Sequence, residues 1–455
     1  MLFLTIDWSS VGIKIAQLLL SLSILVILHE FGHYITARWF KCRVEKFYLF
    51  FDPWFSLVKK KIGTTEYGIG WVPLGGYVKI AGMVDESMDK PQLKQPTQPW
   101  EFRSKPAWQR LIIMLGGVTV NVLLAFIIYA MILFVWGETK LPMKNIKNGI
   151  WCVDSLANEL GLQTGDKILS VNDKPVEYFD DINAALIVGD HLTIERKGIQ
   201  QNINLPVNLI EKIVDKGKRS PIVALRIPTI VGEVPDTAAA YKAGLKPNDQ
   251  IIGINAVPTV YFDEVRSALH QHKGDTVAVH VQRGNAQIIL IVPVSAQGTI
   301  GFVPLQPDVA TLQKMGLYQF DQKKYGFFAS FPAGVIKAGE KLDFYIQQFK
   351  KILNPNTGAY KGVGGFKSMG SVFPSSWDWQ TFWNITAFFS IVLAFMNLLP
   401  IPALDGGHVL FTLYEMITRR KPNQKFLEYA QYAGMIILLA LLLYANGNDW
   451  LGWNK

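Results

Sequence analysis

The sequence is short of charged side chains. Asp, Glu, Lys and Arg make up only 18% of its 455 residues, whereas 50% of the residues are hydrophobic. Soluble domains usually carry about 25% charged residues, so the deficit indicates that part of the chain lies in lipid. A disordered chain is excluded, because such chains are rich in charge and poor in aromatic residues, and 12% of the residues here are aromatic.

Cysteine is also scarce, and basic clusters are missing. Cys42 and Cys152 are the only cysteines. They are too few for a disulfide framework, and no CxxC spacing typical of metal or redox sites occurs. The net charge of +9 is spread along the chain, without a basic cluster interleaved with aromatic residues. We therefore expect no nucleic-acid partner.

Long apolar runs are present instead, at residues 13–28, 111–135, 381–403 and 429–445. A helix needs about 20 apolar residues to cross the hydrocarbon core of a bilayer. The second and third runs are long enough, the fourth is marginal, and the first suffices only if the span continues into the His29 region. The first run has no basic segment before Lys14 and no small-residue cleavage site after it, which favours a retained span over a cleaved signal peptide.

Lys and Arg are concentrated in the two short connections, at residues 38–61 and 419–425. Positively charged loops remain in the cytoplasm, so both connections are predicted to be cytoplasmic. Both termini and the long segment at 137–378 are then outside the membrane on the opposite face.

The outer segment contains an internal repeat. The run GLQTGDKILSVN at residues 161–172 recurs as GLKPNDQIIGIN at 244–255, and the similarity continues without gaps to Ala185-Leu186 and Ala268-Leu269. A fixed offset kept over this length predicts two copies of one structural unit. Each copy reads as a turn, a short apolar strand, a polar turn and an amphipathic helix.

The repeated pattern resembles PDZ domains, which bind extended peptides as an added strand. The alternative is that both copies are spacers or steric covers without a ligand. After them, residues 325–353 predict an amphipathic helix, either at the membrane surface or packed on the repeats. Residues 358–370 are rich in glycine and predict a hinge or loop.

The chemistry begins with His29-Glu30-Phe31-Gly32-His33, an HExxH motif. On a helix, positions i and i+4 share one face, so both imidazoles reach one metal ion, and the neighbouring Glu can act on a metal-bound water. A purely structural pair of histidines is the alternative. It is disfavoured, because ionisable groups in a span are costly unless they bind something.

Zinc also needs a third protein ligand and an open position. Asp405 is the best candidate, since an acidic residue at the end of a charge-free span needs a partner. Pro400 and Pro402 precede it and predict a break in the helix that frees backbone carbonyls beside the site.

HExxH in the first span, NxxPxPxLDG at the third and a PDZ-like insertion between spans two and three resemble the site-2 protease family of intramembrane zinc metalloproteases. The resemblance covers nearly the whole chain. It implies His29, His33 and Asp405 as ligands of one Zn2+ per chain, and Glu30 as the general base. It also implies a multi-pass protein of the bacterial inner membrane.

The resemblance also implies roles for further residues. Asn397 matches the family's substrate-contacting Asn, although an Asn bonded between helices is the alternative. Gly117 and Asn121 match the family's GPxxN motif in the second span. Val118 replaces the motif's proline, which leaves a glycine-mediated helix contact and puts the family's kink in doubt.

Between the first two spans, residues 68–79 look like the family's membrane re-entrant β-hairpin. Such a hairpin offers an edge strand to an unwound substrate, because a helical peptide bond is shielded by its own hydrogen bonds. Gly70, Trp71, Val72 and Pro73 are the predicted substrate-binding residues. A simple cytoplasmic hairpin is the alternative.

The predicted fold is a polytopic α-helical membrane protein with four transmembrane helices, two inserted extracytoplasmic PDZ-like α/β domains and a membrane-associated β-hairpin. The predicted segments are the first transmembrane helix with HExxH (1–37), the hairpin region (38–107), the second transmembrane helix (108–136), two PDZ-like domains (137–223 and 224–310), an amphipathic helix with a glycine-rich loop (311–378), the third transmembrane helix with LDG (379–404), a cytoplasmic loop (405–428) and the fourth transmembrane helix (429–446).

These features predict an intramembrane zinc endopeptidase that cleaves single-pass membrane peptides after their outer domain has been trimmed. The family's substrates, anti-sigma factors and remnant signal peptides, are the implied partners, together with the lipid bilayer and a peptide ligand of the PDZ-like domains. The rival hypothesis is a membrane-anchored PDZ adaptor with a vestigial metal site. A metal transporter is disfavoured, because one charged site makes no path across a bilayer.

Overall fold

The computed structural model describes residues 7–83, 95–216 and 221–453. Parts of three predicted segments lie outside the described residues, namely 1–6, 84–94 and 217–220. The helices are α1 (Trp8–Trp39), α2 (Ala107–Val135), α3 (Ser155–Glu159), α4 (Ile182–Val188), α5 (Leu209–Asp215), α6 (Ala239–Lys242), α7 (Phe262–Gln271), α8 (Val309–Lys314), α9 (Phe327–Leu353), α10 (Phe366–Val372), α11 (Trp379–Leu398), α12 (Asp405–Thr418) and α13 (Gln424–Leu451).

The strands are β1 (Val44–Phe51), β2 (Val58–Ile62), β3 (Thr65–Ile69), β4 (Val72–Ile80), β5 (Glu138–Lys140), β6 (Ile150–Cys152), β7 (Lys167–Val171), β8 (Lys174–Pro175), β9 (His191–Arg196), β10 (Ile199–Asn204), β11 (Val223–Leu225), β12 (Thr229–Glu233), β13 (Gln250–Ile254), β14 (Val257–Pro258), β15 (Thr276–Arg283), β16 (Ala286–Pro293), β17 (Val303–Pro304) and β18 (Asp321–Lys323). Short 3-10 turns lie at Phe102–Ser104, Met143–Asn145, Phe179–Asp181, Pro355–Thr357 and Ala359–Gly362.

The chain divides into two units. The helical unit comprises Met1–Glu138, Lys324–Pro355 and Ala359–Lys455, and the repeat unit comprises Thr139–Lys323 and Asn356–Gly358. Among the described residues, four helices of the helical unit are long and apolar enough to cross a membrane, namely α1, α2, α11 and the Lys425–Leu451 part of α13. Helix α1 continues through the HExxH motif, so the first span is longer than its apolar run.

Close contact between glycines brings α1 and α2 together. A Cβ atom on Gly32 would overlap the Gly116 carbonyl, and one on Gly116 would lie 2.8 Å from Thr36 Oγ1. Small residues allow spanning helices to approach to backbone distance. The contact places the HExxH turn of α1 directly against the Gly116-Gly117 turn of α2.

Helix α9 packs on the spanning helices α2 and α11. Gly334 lies against the Ala130 backbone of α2, and the ring of Tyr345 makes edge contacts with Phe388 and Phe395 of α11. The sequence pattern predicted an amphipathic helix here but did not identify these partners.

The predicted glycine-rich loop is wrong in part, because residues 358–370 contain a 3-10 turn and most of α10. The end of α13 holds this segment through Asp449, whose carboxylate accepts hydrogen bonds from the Gly365 and Ser368 backbone N–H groups. The predicted loop at 405–428 is wrong as well, since it begins with α12. Glycines at its start allow α12 to pack under the Leu399 and Ile401 carbonyls.

The predicted hairpin at 68–79 is also wrong. The region forms a four-stranded sheet in the order β2-β3-β1-β4, so β1 lies between the two strands predicted to pair. Strand β1 runs parallel to β3 and antiparallel to β4. Gly68 and Gly70 make room for it, because a Cβ atom at either position would overlap Tyr48 or the Phe51 carbonyl.

The two sequence repeats have the same local construction. Asp166 accepts hydrogen bonds from Arg196, and Asp249 accepts them from Arg283, with distances of 2.7–2.8 Å in both copies. The first copy contains the sheets β10-β9-β7-β8 and β11-β6, and the second contains β16-β15-β13-β12-β17 with β14 beside β13. Strands β18 and β5 form a further pair.

The copies differ at one sheet edge. In the first copy, Asn183 of α4 donates to the Val223 carbonyl at 2.9 Å and accepts from the Ile222 and Val223 backbone N–H groups. Its side chain therefore occupies the backbone groups of the edge strand β11. The corresponding residue in the second copy is Arg266, which is exposed. No hydrogen bond joins α7 to the edge strand β17 within the described residues.

Candidate active site

The two histidines of the site lie one turn apart on α1 and are both buried. His33 Nδ1 lies 2.9 Å from the Ile113 carbonyl, so Nδ1–H donates and Nε2 keeps a lone pair. Asn121 lies 3.0 Å from His29 Nδ1, and its other amide atom, Oδ1, has no hydrogen-bond partner. Exchanging the amide oxygen and nitrogen gives His29 the same arrangement, with Nδ1–H donating to Asn121 Oδ1.

Asp405, the third residue of the cluster, follows an interruption between two helices. Helix α11 ends at Leu398, the backbone turns through Pro400 and Pro402, and α12 begins at Asp405. Asp405 Oδ2 lies 3.3 Å from His29 Nε2 and 3.2 Å from His33 Nε2. The structure therefore brings all three predicted ligand residues together.

The geometry of this cluster fits a zinc ion. The two Nε2 atoms are 3.3 Å apart, so the three atoms form a nearly equilateral triangle. Ligand atoms about 2.0–2.1 Å from a tetrahedral zinc ion are separated by about 3.3–3.4 Å. Buried lone pairs of His33 and Asp405 also face one another, and Asp405 Oδ2 has no hydrogen-bond partner. A cation between them satisfies both groups.

Glu30 lies beside the cluster and against the sheet. Its side chain packs against Gly76 of β4, where a Cβ atom would lie 3.5 Å from Glu30 Cγ. Together with all three cluster residues it lines a cavity of about 1000 Å³. Strand β4 is an edge of its sheet.

The other predicted site residues divide into two groups. Asn397 lines the cavity with its Nδ2 atom 3.4 Å from His29 Nε2, and Pro73 also lines it. Gly70, Trp71 and Val72 are not among the lining residues of this cavity. Trp71 instead stacks on Phe55, and its indole N–H donates to the Pro53 carbonyl.

Gly117 and Asn121 support the histidines from α2. A Cβ atom on Gly117 would overlap His33 Nε2 and lie 2.6 Å from His29 Cε1. Helix α2 continues without interruption past Val118, where the family motif has proline.

Sequence reasoning missed two parts of the site. The Ile113 carbonyl is one, and no side-chain pattern identifies a backbone group. Gln431 of α13 is the other: it lines the cavity and is 6% exposed. An uncharged polar residue inside the predicted fourth span was a usable signal, because polar groups in spans require partners.

These features define a candidate metal site of the HExxH type beside helices that are long and apolar enough to cross a membrane. The profile of Peptidase family M50 matches residues 17–441. A Vibrio cholerae protein named as a zinc metalloprotease is 30% identical over 452 residues, covering 95% of this chain and 97% of the relative. The regulator of sigma-E protease RseP of Escherichia coli is 26% identical over 462 residues, covering 96% and 98%. Its counterpart in Haemophilus influenzae is also 26% identical.

The chain belongs to Peptidase family M50, the site-2 protease family. It is a zinc metalloendopeptidase with Zn2+ as its cofactor, which favours the predicted enzyme over the adaptor. Its sequence similarity to the regulators of sigma-E protease extends over 96% of the chain.

Proposed function

We propose that the protein is an intramembrane endopeptidase that cleaves single-pass membrane peptides within or near the bilayer. The observation that carries this proposal is the triangle of His29, His33 and Asp405, built on or next to spanning helices with Glu30 beside it. These three residues would hold the zinc ion. A zinc ion there supplies Lewis acidity that polarises a peptide carbonyl.

Glu30 acts as the general base in this proposal. It takes a proton from the attacking water and passes it to the leaving amine, which a carboxylate at this position in HExxH can do. Asn397 of α11 lines the cavity next to His29 and is suited to contact the substrate backbone. Asn121 and the Ile113 carbonyl hold the imidazoles in the orientation that ligation requires.

The substrate would bind as an extended strand along β4. This strand is a sheet edge that borders the cavity, and an added strand pairs with such an edge through backbone hydrogen bonds. Pairing keeps the peptide unwound, so its carbonyl is exposed to attack. Of the predicted binding residues, Pro73 is supported by its place in the cavity wall.

We place both termini and the repeats outside the cytoplasm of a bacterial inner membrane, from the distribution of Lys and Arg. The relatives named regulator of sigma-E protease support regulated proteolysis, with an anti-sigma factor or a remnant signal peptide as the substrate. The PDZ-like repeats would exclude substrates whose outer domain is still intact.

The second repeat is the better candidate for binding a peptide. In the first repeat, the Asn183 side chain already occupies the backbone groups of β11. In the second, β17 is an edge strand with exposed Val303, and the exposed Leu305 follows it directly. Strand addition requires such an edge, and no side chain of α7 is bonded to this one within the described residues.

The ligand set is tested by measuring the zinc content of purified protein. Wild type and Glu30→Gln should each hold one zinc ion per chain, because Glu30 is not a ligand. Asp405→Asn should lose most of its zinc, because a neutral amide is a poor ligand. Zinc retained at full stoichiometry and affinity by Asp405→Asn would contradict the proposed site.

A further inference from the structure

Helix α13 makes one unusual contact with the loop that carries Asp405. Of the spanning helices described, it buries the smallest share of its apolar stretch, 11% against 44% for α2. Even so, Gln431 is only 6% exposed, and Gly434, one turn later, is also buried. Both residues lie against the Pro402-Ala403 turn.

The contact is specific in its geometry. Gln431 Oε1 accepts a hydrogen bond of 3.2 Å from the Ala403 backbone N–H. A Cβ atom on Gly434 would overlap the Pro402 carbonyl, so only glycine allows the turn to approach the helix this closely. A buried polar side chain in a span is costly without a function, and here its partner is a backbone group of the catalytic loop.

The Pro402-Ala403 turn has an unfavourable backbone conformation. Ala403 has a φ angle of +79°, a left-handed conformation that residues other than glycine rarely adopt. Such a conformation persists only when surrounding contacts hold it in place. Asp405 follows two residues later, so the direction of its carboxylate depends on this turn.

We propose that Gln431, with Gly434, is a positioning residue that fixes the Pro402-Ala403 turn and thereby aims Asp405 at the two histidines. This inference rests on the proposed zinc ligands. It gives the fourth span a role in catalysis although it contributes no ligand. Gln431 acts through the loop and not by contact with the reacting atoms.

The test compares zinc release from full-length, zinc-loaded protein in detergent after addition of a chelator, with Gln431→Leu, Gln431→Glu and Gly434→Ala. Loss of a supporting partner around a metal site lowers affinity roughly 10- to 100-fold, so Gln431→Leu and Gly434→Ala should release zinc faster to a similar degree. Gln431→Glu keeps an oxygen acceptor and should restore slow release. The double variant should be no worse than the more affected single one, because both changes act on the same turn.

Leu439→Ala is the matched control on α13, since Leu439 is 55% exposed. It should release zinc at the wild-type rate. If Gln431→Leu and Gly434→Ala release zinc at the wild-type rate while Asp405→Asn loses its zinc, this inference is overturned and the proposed ligands are unaffected. Full zinc retention by Asp405→Asn would overturn both. In peptide cleavage, Gln431→Leu and Gly434→Ala should have a lower kcat than wild type with little change in KM.

Discussion

At the scale of single residues, the site depends on glycines, which have no side chain, as much as on the proposed metal ligands. Gly117 is the clearest case, because its lack of a side chain leaves the space that the two imidazoles occupy. The neighbouring Gly116 leaves space for the backbone of α1 in the same way. The HExxH motif therefore needs a partner surface on α2 that carries no side chain at these two positions.

Replacing Gly117 with alanine should disrupt the metal site while leaving the chain folded. The new methyl group would overlap His33 Nε2 and displace one or both rings, so zinc affinity should fall by about tenfold or more. Gly12→Ala is the matched control, since nothing lies within 4 Å of a Cβ atom there. Equal zinc binding by both variants would show that the rings do not depend on Gly117.

Much of the site was predictable at this scale because its signals are local. Helix periodicity places His29 and His33 on one face, and the cost of burying a charge points to Asp405. The positions of Ile113 and Gln431 were not predictable in this way. Their roles depend on which atoms neighbouring helices bring together, and spacing along the chain does not encode that.

At the scale of elements, the sheet at 44–80 determines how a substrate can approach. The family resemblance of residues 68–79 suggested a hairpin. The insertion of β1 between β3 and β4 is a long-range pairing that alternation of residues does not reveal. It leaves β4 at an edge beside Glu30, which is the feature the proposed mechanism uses.

A cysteine on β4 should cross-link to substrate, and one on the opposite edge strand should not. Pro73→Cys, in a background without the two native cysteines, should form a disulfide with a cysteine near the substrate's cleavage site. Val58→Cys on β2 is the matched control, as it is exposed but lies at the other edge of the sheet. Stronger cross-linking at Val58→Cys would contradict substrate binding along β4.

Within the second repeat, the ion pair between Asp249 and Arg283 should make local stability depend on pH. Burial raises the pKa of the Asp249 carboxyl, but the hydrogen bonds and charge of Arg283, together with the hydrogen bond from the Lys246 backbone N–H and the Lys246 charge, lower it more, so its pKa lies below the ordinary value of 3.8. The stabilisation is therefore present above that ordinary value and is lost as pH falls through the lower, folded-state pKa.

Hydrogen exchange measures this effect. At neutral pH, Asp249→Asn should speed exchange in β13, with a local destabilisation of about 1–3 kcal/mol from the weakened buried hydrogen bonds. The difference between variant and wild type should shrink as the solution is acidified below pH 3.8. A difference that stays constant across this pH range would exclude the ion pair as its source.

At the scale of the whole molecule, the chain combines a helical unit that holds the metal site with a repeat unit inserted between the second and third spans. The spans and the repeat were visible in the sequence, since apolar length and a fixed offset are global patterns. The additional helices α10 and α12 were not. A glycine-rich stretch suggested a loop around α10, and the basic connection between the third and fourth spans suggested one at α12, whereas tertiary contacts explain the glycines of both helices.

Deleting residues 150–305 should relax the selection of substrates. If the repeats exclude intact outer domains, the deletion variant should cleave a single-pass substrate whose outer domain has not been trimmed, whereas wild type should not. A substrate with a short outer segment serves as the control and should be cleaved by both. Unchanged selectivity in an active deletion variant would refute the filter.

The central claim is that this chain hydrolyses a membrane peptide with zinc and Glu30. The most direct test incubates wild type and Glu30→Gln in liposomes with a tagged single-pass substrate, with and without a zinc chelator. We predict cleavage by wild type alone, abolished by the chelator and restored by added zinc. Cleavage by Glu30→Gln at the wild-type rate, or cleavage that survives removal of zinc, would contradict the account.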